Sequence, residues 1–474
     1  MSVTQQTTST KSTASETLTG PLLVVLAVVV VAGLLFGYDQ GVISGALDGI
    51  KQQFMLSAIL VEVVTSWVTL GALVGSLAGG WLADHYGRRR AVLIAGALFV
   101  VGALLQATAP DVPLLVFGRL VVGFGVGVAA VAAPLYGSEL APAAHRGRFV
   151  AAYQLAITIG IFLAYLVNAG LAADGDWRWM LGISLVPGVL LVLVGALGVE
   201  SPRWLVKMGR RDEARAVLGK VWPEEDNAAR LKAIEHTLDE EAGKASWREV
   251  FDPAWRKPLM IALGLAIFQQ ITGINAIIYY ANQIFAAAGF STAAQQTTAT
   301  TWAVGGVNVA ATFIAIAFID KLGRRPLLLA GLIGMGLALL VVGFAFLSID
   351  GQLAGNGPRT AGIVTLVALV VFIVSFAFSL GPVVWTVINE IFPGKVRGRA
   401  VAVATAVNWG SAFLVSQFFL TLIDAIGKST TFWLFAFFCA AGWIWVYRTV
   451  PETRGRTLED IERSWTGQPA SVSV

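Results

Sequence analysis

Residues 84–89 read Asp84-His85-Tyr86-Gly87-Arg88-Arg89, and about half a chain length later residues 320–325 read Asp320-Lys321-Leu322-Gly323-Arg324-Arg325. A second signature recurs in the same order. Glu139-Leu140-Ala141-Pro142 is followed by Arg146-Gly147-Arg148, and Glu390-Ile391-Phe392-Pro393 by Arg397-Gly398-Arg399. Two charged signatures at matched points indicate a duplicated chain. Between them lie apolar segments of bilayer length, since a hydrocarbon core of about 30 Å takes about 20 apolar residues as helix. They cover 21–43, 61–83, 91–109, 112–134, 149–171, 179–199, 258–285, 297–319, 326–347, 361–388, 400–423 and 432–446. The fold class is therefore an all-α membrane protein: twelve transmembrane helices in two six-helix pseudo-repeats, with short cytoplasmic helices between the halves. Parallel repeats of this kind are a transporter architecture, with cargo held between the halves near the midplane.

Composition supports this reading. Of 474 residues, 56% are hydrophobic and 13% charged, against roughly a quarter charged in a soluble domain. The apolar blocks are too long for barrel strands and lack their alternation. The single cysteine, Cys439, cannot form an internal disulfide. Glycine is abundant, and Gly71-x-x-x-Gly75-x-x-x-Gly79 suits helices in close approach. Gly123-x-Gly125-x-Gly127 is read the same way, because no strand precedes it. Gly427-Lys428-Ser429 lacks the earlier glycine of a phosphate-binding loop, position 422 being Leu422. His85, His145 and His236 lack metal-ligand spacing. No metal, cofactor, nucleic-acid partner or enzymatic activity is expected, and a monomer in contact with membrane lipid is.

Residues 1–20 read as a disordered cytoplasmic tail, without the basic start and cleavage site of a signal peptide. The first bundle takes 21–199, a helical linker 200–257, the second bundle 258–448 and a cytoplasmic tail 449–474. In the linker, Leu231, Ile234 and Leu238 fall at helical spacing in a charged stretch. With both termini cytoplasmic, only Lys51, Arg178, Arg359 and Lys428 fall outside and Arg119 within a span; the rest of the 33 Lys and Arg lie inside. That bias orients the chain in the cell membrane. Asp84, Arg88, Arg89, Glu139, Arg146, Asp320, Arg324, Arg325, Glu390 and Arg397 are expected to form a cytoplasmic gate network. Charge-assisted bonds among them would hold the inner face shut in one state.

Six motifs in order give a resemblance over residues 35–462. They are Gly37-Tyr38-Asp39-Gln40-Gly41-Val42-Ile43-Ser44-Gly45, the doubled Gly-Arg-Arg loops, Gly118-Arg119, Glu200-Ser201-Pro202-Arg203-Trp204, Gln269-Gln270-Ile271-Thr272-Gly273-Ile274-Asn275 and Pro451-Glu452-Thr453-Arg454-Gly455. The chain resembles the sugar porter family of the major facilitator superfamily. The resemblance implies alternating access and a monosaccharide or polyol cargo.

Asp39 is the carboxylate well inside the first span, and an ionised Asp at the bilayer centre costs roughly 2.5–3.5 kcal/mol. Its natural partner is Arg119, the lone basic residue of the fourth span. The pair reads either as a permanent structural bridge or as a proton switch, in which protonation of Asp39 frees the first span to move. Proton-coupled bacterial sugar symporters resemble this chain in carrying Asp here, whereas facilitative glucose carriers usually have an uncharged residue. The expectation is a proton-coupled monosaccharide symporter with protons as coupling ion and a hexose such as glucose as cargo. A facilitative uniporter and a non-transporting sugar sensor are the competing readings.

A sugar needs amides that both donate and accept, plus rings for its C–H face. Among the intramembrane amides and indoles, the candidates are Gln154, Gln269, Gln270, Asn275, Asn308, Trp385, Asn408 and Trp409. Gly273 would allow a break that aims the helix 7 amides at one point. By resemblance, Gln154, Gln269, Gln270, Asn275, Asn308 and Trp385 match the family's sugar-contacting positions, with Asn408 and Trp409 as further candidates. Ile161 lies two turns after Gln154, where some xylose-transporting relatives have a second glutamine. An aliphatic residue there suits a hexose's extra carbon. Tyr279 and Tyr280 read as an outer gate or as interfacial belt anchors.

Overall fold

The computed structural model describes residues 19–142, 145–222, 226–242, 247–350, 358–392 and 394–455. Among them are twelve helices long and apolar enough to cross a membrane. Spans 1 to 6 are Gly20–Phe54, Ala58–Tyr86, Arg88–Ala107, Val112–Leu140, Gly147–Leu171 and Trp177–Leu197. Spans 7 to 12 are Pro253–Tyr279, Ala293–Phe318, Arg324–Ile349, Thr360–Glu390, Val396–Gln417 and Lys428–Thr449. Each span contains its expected segment apart from a few end residues and the far ends of spans 7 and 11. Three features differ. Span 1 runs well past Ile43, because Ala46, Leu47 and Ile50 still bury one face before Met55 ends the helix in the left-handed conformation. Its 35 residues make a helix of about 52 Å, longer than the hydrocarbon core. Span 8 contains a π-helical stretch at Thr300–Gly306. Span 11 stops at Gln417 and resumes as a short helix, Phe419–Ile426.

The duplication is visible in the packing. In the first half, span 2 packs on span 4, span 1 on span 5, span 3 on span 4, and span 3 on span 6; spans 8 and 10, 7 and 11, 9 and 10, and 9 and 12 repeat those pairings. The halves meet where span 2 packs on span 11 and span 5 on span 8, with span 1 against the end of span 7. Glycine makes the tightest seams possible. A Cβ on Gly71 or Gly75 would collide with the carbonyl of Leu120 or Phe124, and one on Gly123 or Gly127 with that of Val68 or Ala72. Backbones approach that closely only where no side chain intervenes.

The linker forms Pro202–Lys207, Arg211–Val221 and Asn227–Ala242. Its apolar face, including Leu205, Leu218, Val221 and Leu231, is buried in the core of the first half. Trp204 donates its indole N–H to the Asp84 carbonyl at 2.9 Å, and Thr19 donates to the Val221 carbonyl at 3.1 Å. These bonds put the start of span 1, the linker and the Arg-rich loops on one face of the molecule, here termed the basic face.

Candidate transport site

Asp39 and Arg119 meet. Arg119 Nη1 donates to Asp39 Oδ1 at 2.8 Å, with Arg119 fully buried and the Asp39 side chain 6% exposed. The other guanidinium N–H groups donate to the carbonyls of Val64 at 3.1 Å and Thr65 at 3.4 Å. One side chain thus ties spans 1, 2 and 4 together. A buried charge pair offsets its desolvation only when its remaining hydrogen-bonding groups are satisfied, and the carbonyls of span 2 serve that purpose. Removing the negative charge would leave Arg119 with these neutral acceptors.

Span 7 breaks as expected. Helix Arg256–Ile271 gives way at Gly273, which takes φ 96°, to Ile274–Tyr279 and then Ala281–Ala287. A side chain at this φ is strained, and a Cβ would press on the Phe435 ring at 2.8 Å. Gly273→Ala is therefore expected to strain the break by about 1–2 kcal/mol and to lower the melting temperature of the detergent-solubilised protein. The break aims the amides at one another. Gln270 Nε2 donates to Gln269 Oε1 at 3.3 Å and Asn408 Oδ1 at 3.2 Å, while Asn275 Nδ2 donates to Gln270 Oε1 at 2.7 Å. Asn408 Nδ2 donates to Gln269 Oε1 at 2.7 Å, and Gln269 Nε2 to the Leu380 carbonyl at 2.7 Å. Spans 7, 10 and 11 therefore share one polar cluster in an apolar core.

The other expected residues stand apart from that chain of bonds. Asn308 is buried, Gln154 and Trp385 are half-buried, and none of the three donates a side-chain hydrogen bond to the cluster. Trp409 is buried against Phe36 of the first half, with ring centroids 5.4 Å apart. Ile161 is buried at the seam of spans 1 and 5, its backbone within van der Waals distance of Gly37 and Gly41. Tyr279 and Tyr280 are fully buried, so neither is a belt anchor; Tyr280 donates to the Ser416 carbonyl at 3.0 Å. One residue joins unannounced. Gln40 Nε2 donates to Asn275 Oδ1 at 3.5 Å, so the neighbour of Asp39 reaches the amide cluster. An amide beside an intramembrane carboxylate was the available signal.

On the basic face, Arg88 grips Glu139 with two bonds of 2.9 Å and Asp84 with one of 3.1 Å. Arg324 Nη2 donates to Glu390 at 3.0 Å. Ser201 donates to Glu139, and Thr453 to Glu390 at 2.6 Å. These pairs lie inside each half and tie its spans together, rather than joining one half to the other. Arg89 and Arg325 donate instead to backbone carbonyls of Gly195 and Tyr447, and Arg397 to that of Phe392. The side chains of Arg146 and Asp320 lie outside the described residues.

Sequence reading missed Glu200 and Glu452. Each accepts backbone N–H bonds at the start of a span: Glu200 from Arg88 and Arg89, Glu452 from Arg324 and Arg325. Their carboxyls move in opposite directions. Burial pushes Glu200 above the usual carboxylate range despite its donors. At Glu452 burial acts the same way, but the N–H groups of Arg454, Arg324, Arg325 and Thr453 outweigh it and hold the carboxyl low. Repetition of Glu-Ser/Thr just after each half was the readable clue.

The halves are closed on the face opposite the basic loops. Ser66 donates to Gln417 at 2.6 Å, Tyr165 to the Ile278 carbonyl at 2.9 Å, Asn282 N–H to Ser44 at 3.1 Å and Gln283 to Asp48 at 3.2 Å. Every one joins the first half to the second.

Twelve spans in two matched bundles, with a buried ion pair in the first and an amide cluster in the second, define a membrane transporter rather than an enzyme. Residues 25–465 match the sugar (and other) transporter family. The chain is 40% identical over 445 residues to the D-xylose transporter of Levilactobacillus brevis, covering 93% of this chain and 95% of that one. It is 38% identical over 435 residues to the galactose-proton symporter of Escherichia coli K12, covering 91% and 92%. Among solved structures, the inward-open xylose transporter XylE from E. coli matches with TM-score 0.79 at 31% identity, over 94% of this chain and 100% of that chain. The chain belongs to the sugar porter family of the major facilitator superfamily.

Proposed function

We propose that this transporter is a proton-coupled monosaccharide symporter of the cell membrane, with the basic face cytoplasmic and a hexose as cargo. The observation that carries the coupling is the 2.8 Å Asp39–Arg119 bond, one residue along the chain from Gln40, which reaches Asn275 of the amide cluster. Ionised Asp39 holds Arg119 and, through it, spans 1, 2 and 4. A proton arriving on Asp39 weakens that grip, lets span 1 shift, and so changes the surroundings of Asn275. Sugar hydroxyls exchange bonds with Gln269, Gln270, Asn275 and Asn408, while Gln154, Asn308 and Trp385 offer polar groups free of that cluster. The aromatic face of Trp385 or Trp409 suits the sugar's C–H surface. The bond set that closes the far face supports a conformation accessible from the basic face.

Energy suffices. One charge crossing 100 mV gains about 2.3 kcal/mol, roughly a fifty-fold accumulation before any pH gradient adds to it. The hexose reading rests on aliphatic Ile161 and accords with the galactose carrier among the relatives; the D-xylose carrier makes a pentose the competing outcome. The orientation rests on the placement of Lys and Arg.

The test uses de-energised vesicles in weak buffer. Glucose addition is expected to make the external medium alkaline, as protons enter with sugar. Unlabelled glucose or galactose should compete with labelled glucose uptake at least tenfold better than xylose or arabinose. No alkalinisation alongside brisk uptake would instead mean a uniporter, and stronger competition by pentoses would reassign the cargo.

A further inference from the structure

Span 11 ends in a break with no proline or glycine to announce it. Phe418 takes φ −111° and ψ 10°, and a new helix begins at Phe419. A new helix start leaves its first N–H groups without intrahelical partners. The N–H of Thr421 finds one across the boundary between the halves. Glu62 of span 2, 1% exposed, accepts it on Oε1 at 2.6 Å and accepts the Thr421 hydroxyl on Oε2 at 2.7 Å. Both carboxylate oxygens are used. One turn further along span 2, Ser66 donates to Gln417 on the other side of the break.

Glu62 takes no part in the ion pair or the amide cluster, yet a buried carboxylate needs a strong reason to be there. Its charge faces the positive end of the Phe419–Ile426 helix, where a negative group is favoured. Thr421 is itself exposed, so the contact lies at the rim of the boundary, where water can replace it once the halves part. Glu62 also lies two and three residues from Val64 and Thr65, whose carbonyls accept from Arg119. Ion pair and clasp thus share one stretch of span 2.

We propose that Glu62 is a gating residue of the face opposite the basic loops: it caps the last helix of span 11 across the boundary and holds that face shut. The inference rests on the transport reading above, with the two faces opening in turn. It assigns Glu62 to the step that opens this face, separate from sugar binding and from the proton.

The experiment places spin labels at exposed Gln52 and Ala425, one on each half, in a Cys439→Ala background, and measures the distance distribution in the reconstituted transporter. Glu62→Gln removes the negative charge at the start of the Phe419–Ile426 helix and exchanges one accepting oxygen for an amide donor, so the ratio of long to short distances should rise at least tenfold. Thr421→Val removes only the hydroxyl and should shift the ratio the same way by less. Labelled-sugar exchange is measured on the same preparations. Retained exchange shows that a variant is folded, and absence of exchange in the unmutated protein would count against the transport reading alone. Exchange-competent Glu62→Gln and Thr421→Val variants with unmutated distances would overturn the gating assignment.

Discussion

Asp39→Asn is expected to abolish uphill sugar accumulation while leaving exchange of sugar across the membrane. Asparagine keeps the shape of the side chain and an oxygen to accept from Arg119 Nη1, now 2.8 Å from Asp39 Oδ1. Arg119 also keeps the carbonyls of Val64 and Thr65, so its N–H groups stay bonded, as they must whenever Asp39 takes a proton, and the fold should survive. What is lost is the group that takes and releases the proton. Without it no charge accompanies the sugar, and the accumulation of about fifty-fold available at 100 mV falls to unity. The check is labelled glucose uptake into vesicles with an imposed pH gradient, beside counterflow in the same vesicles. Concentrative uptake by the variant at the unmutated level would place the coupling group elsewhere.

Gln270→Leu is expected to weaken sugar binding by about 100-fold or more. Gln270 is the hub of the amide cluster, donating to Gln269 and Asn408 and accepting from Asn275. A leucine fills similar space but leaves the Asn275 amide and the Asn408 oxygen without this partner. Each stranded buried polar group costs about 1–3 kcal/mol, and the sugar loses a group able both to donate and to accept. Two sugar-hydroxyl bonds lost at about 1.5 kcal/mol each amount to about two decades at 1.4 kcal/mol per tenfold. Calorimetric titration of purified protein with glucose checks this directly. Affinity within threefold of the unmutated transporter would show that the cluster is interhelical glue and that sugar binds elsewhere.

Much of this is legible in the sequence, for identifiable reasons. Hydrocarbon demands unbroken apolar helices, so the spans stand out, and charged loops recurring in order betray the duplication. The Asp39–Arg119 pair was legible because few charges stand inside the spans, and buried charges of opposite sign favour pairing. The break at Gly273 was legible because glycine alone takes φ 96° without strain. Other features depend on tertiary register. Span 1 continues past Ile43 because its buried face continues, which polarity alone understates. The basic-face carboxylates bond within their own halves, a matter of which loops fold side by side. The Glu62–Thr421 contact needs two residues far apart in sequence to meet across the boundary, and neither carries a motif. Gln40 stands beside Asp39 in the first span, and its amide reaches span 7 only through the break at Gly273.

Charge movement is the most direct measure of whether Asp39 carries the proton. Proteoliposomes adsorbed on a solid-supported membrane and given a step of glucose should register a positive current into the liposomes with Asp39 present. The Asp39→Asn protein should give none while still exchanging labelled glucose. A glucose-evoked current of equal size in the variant would contradict the assignment outright.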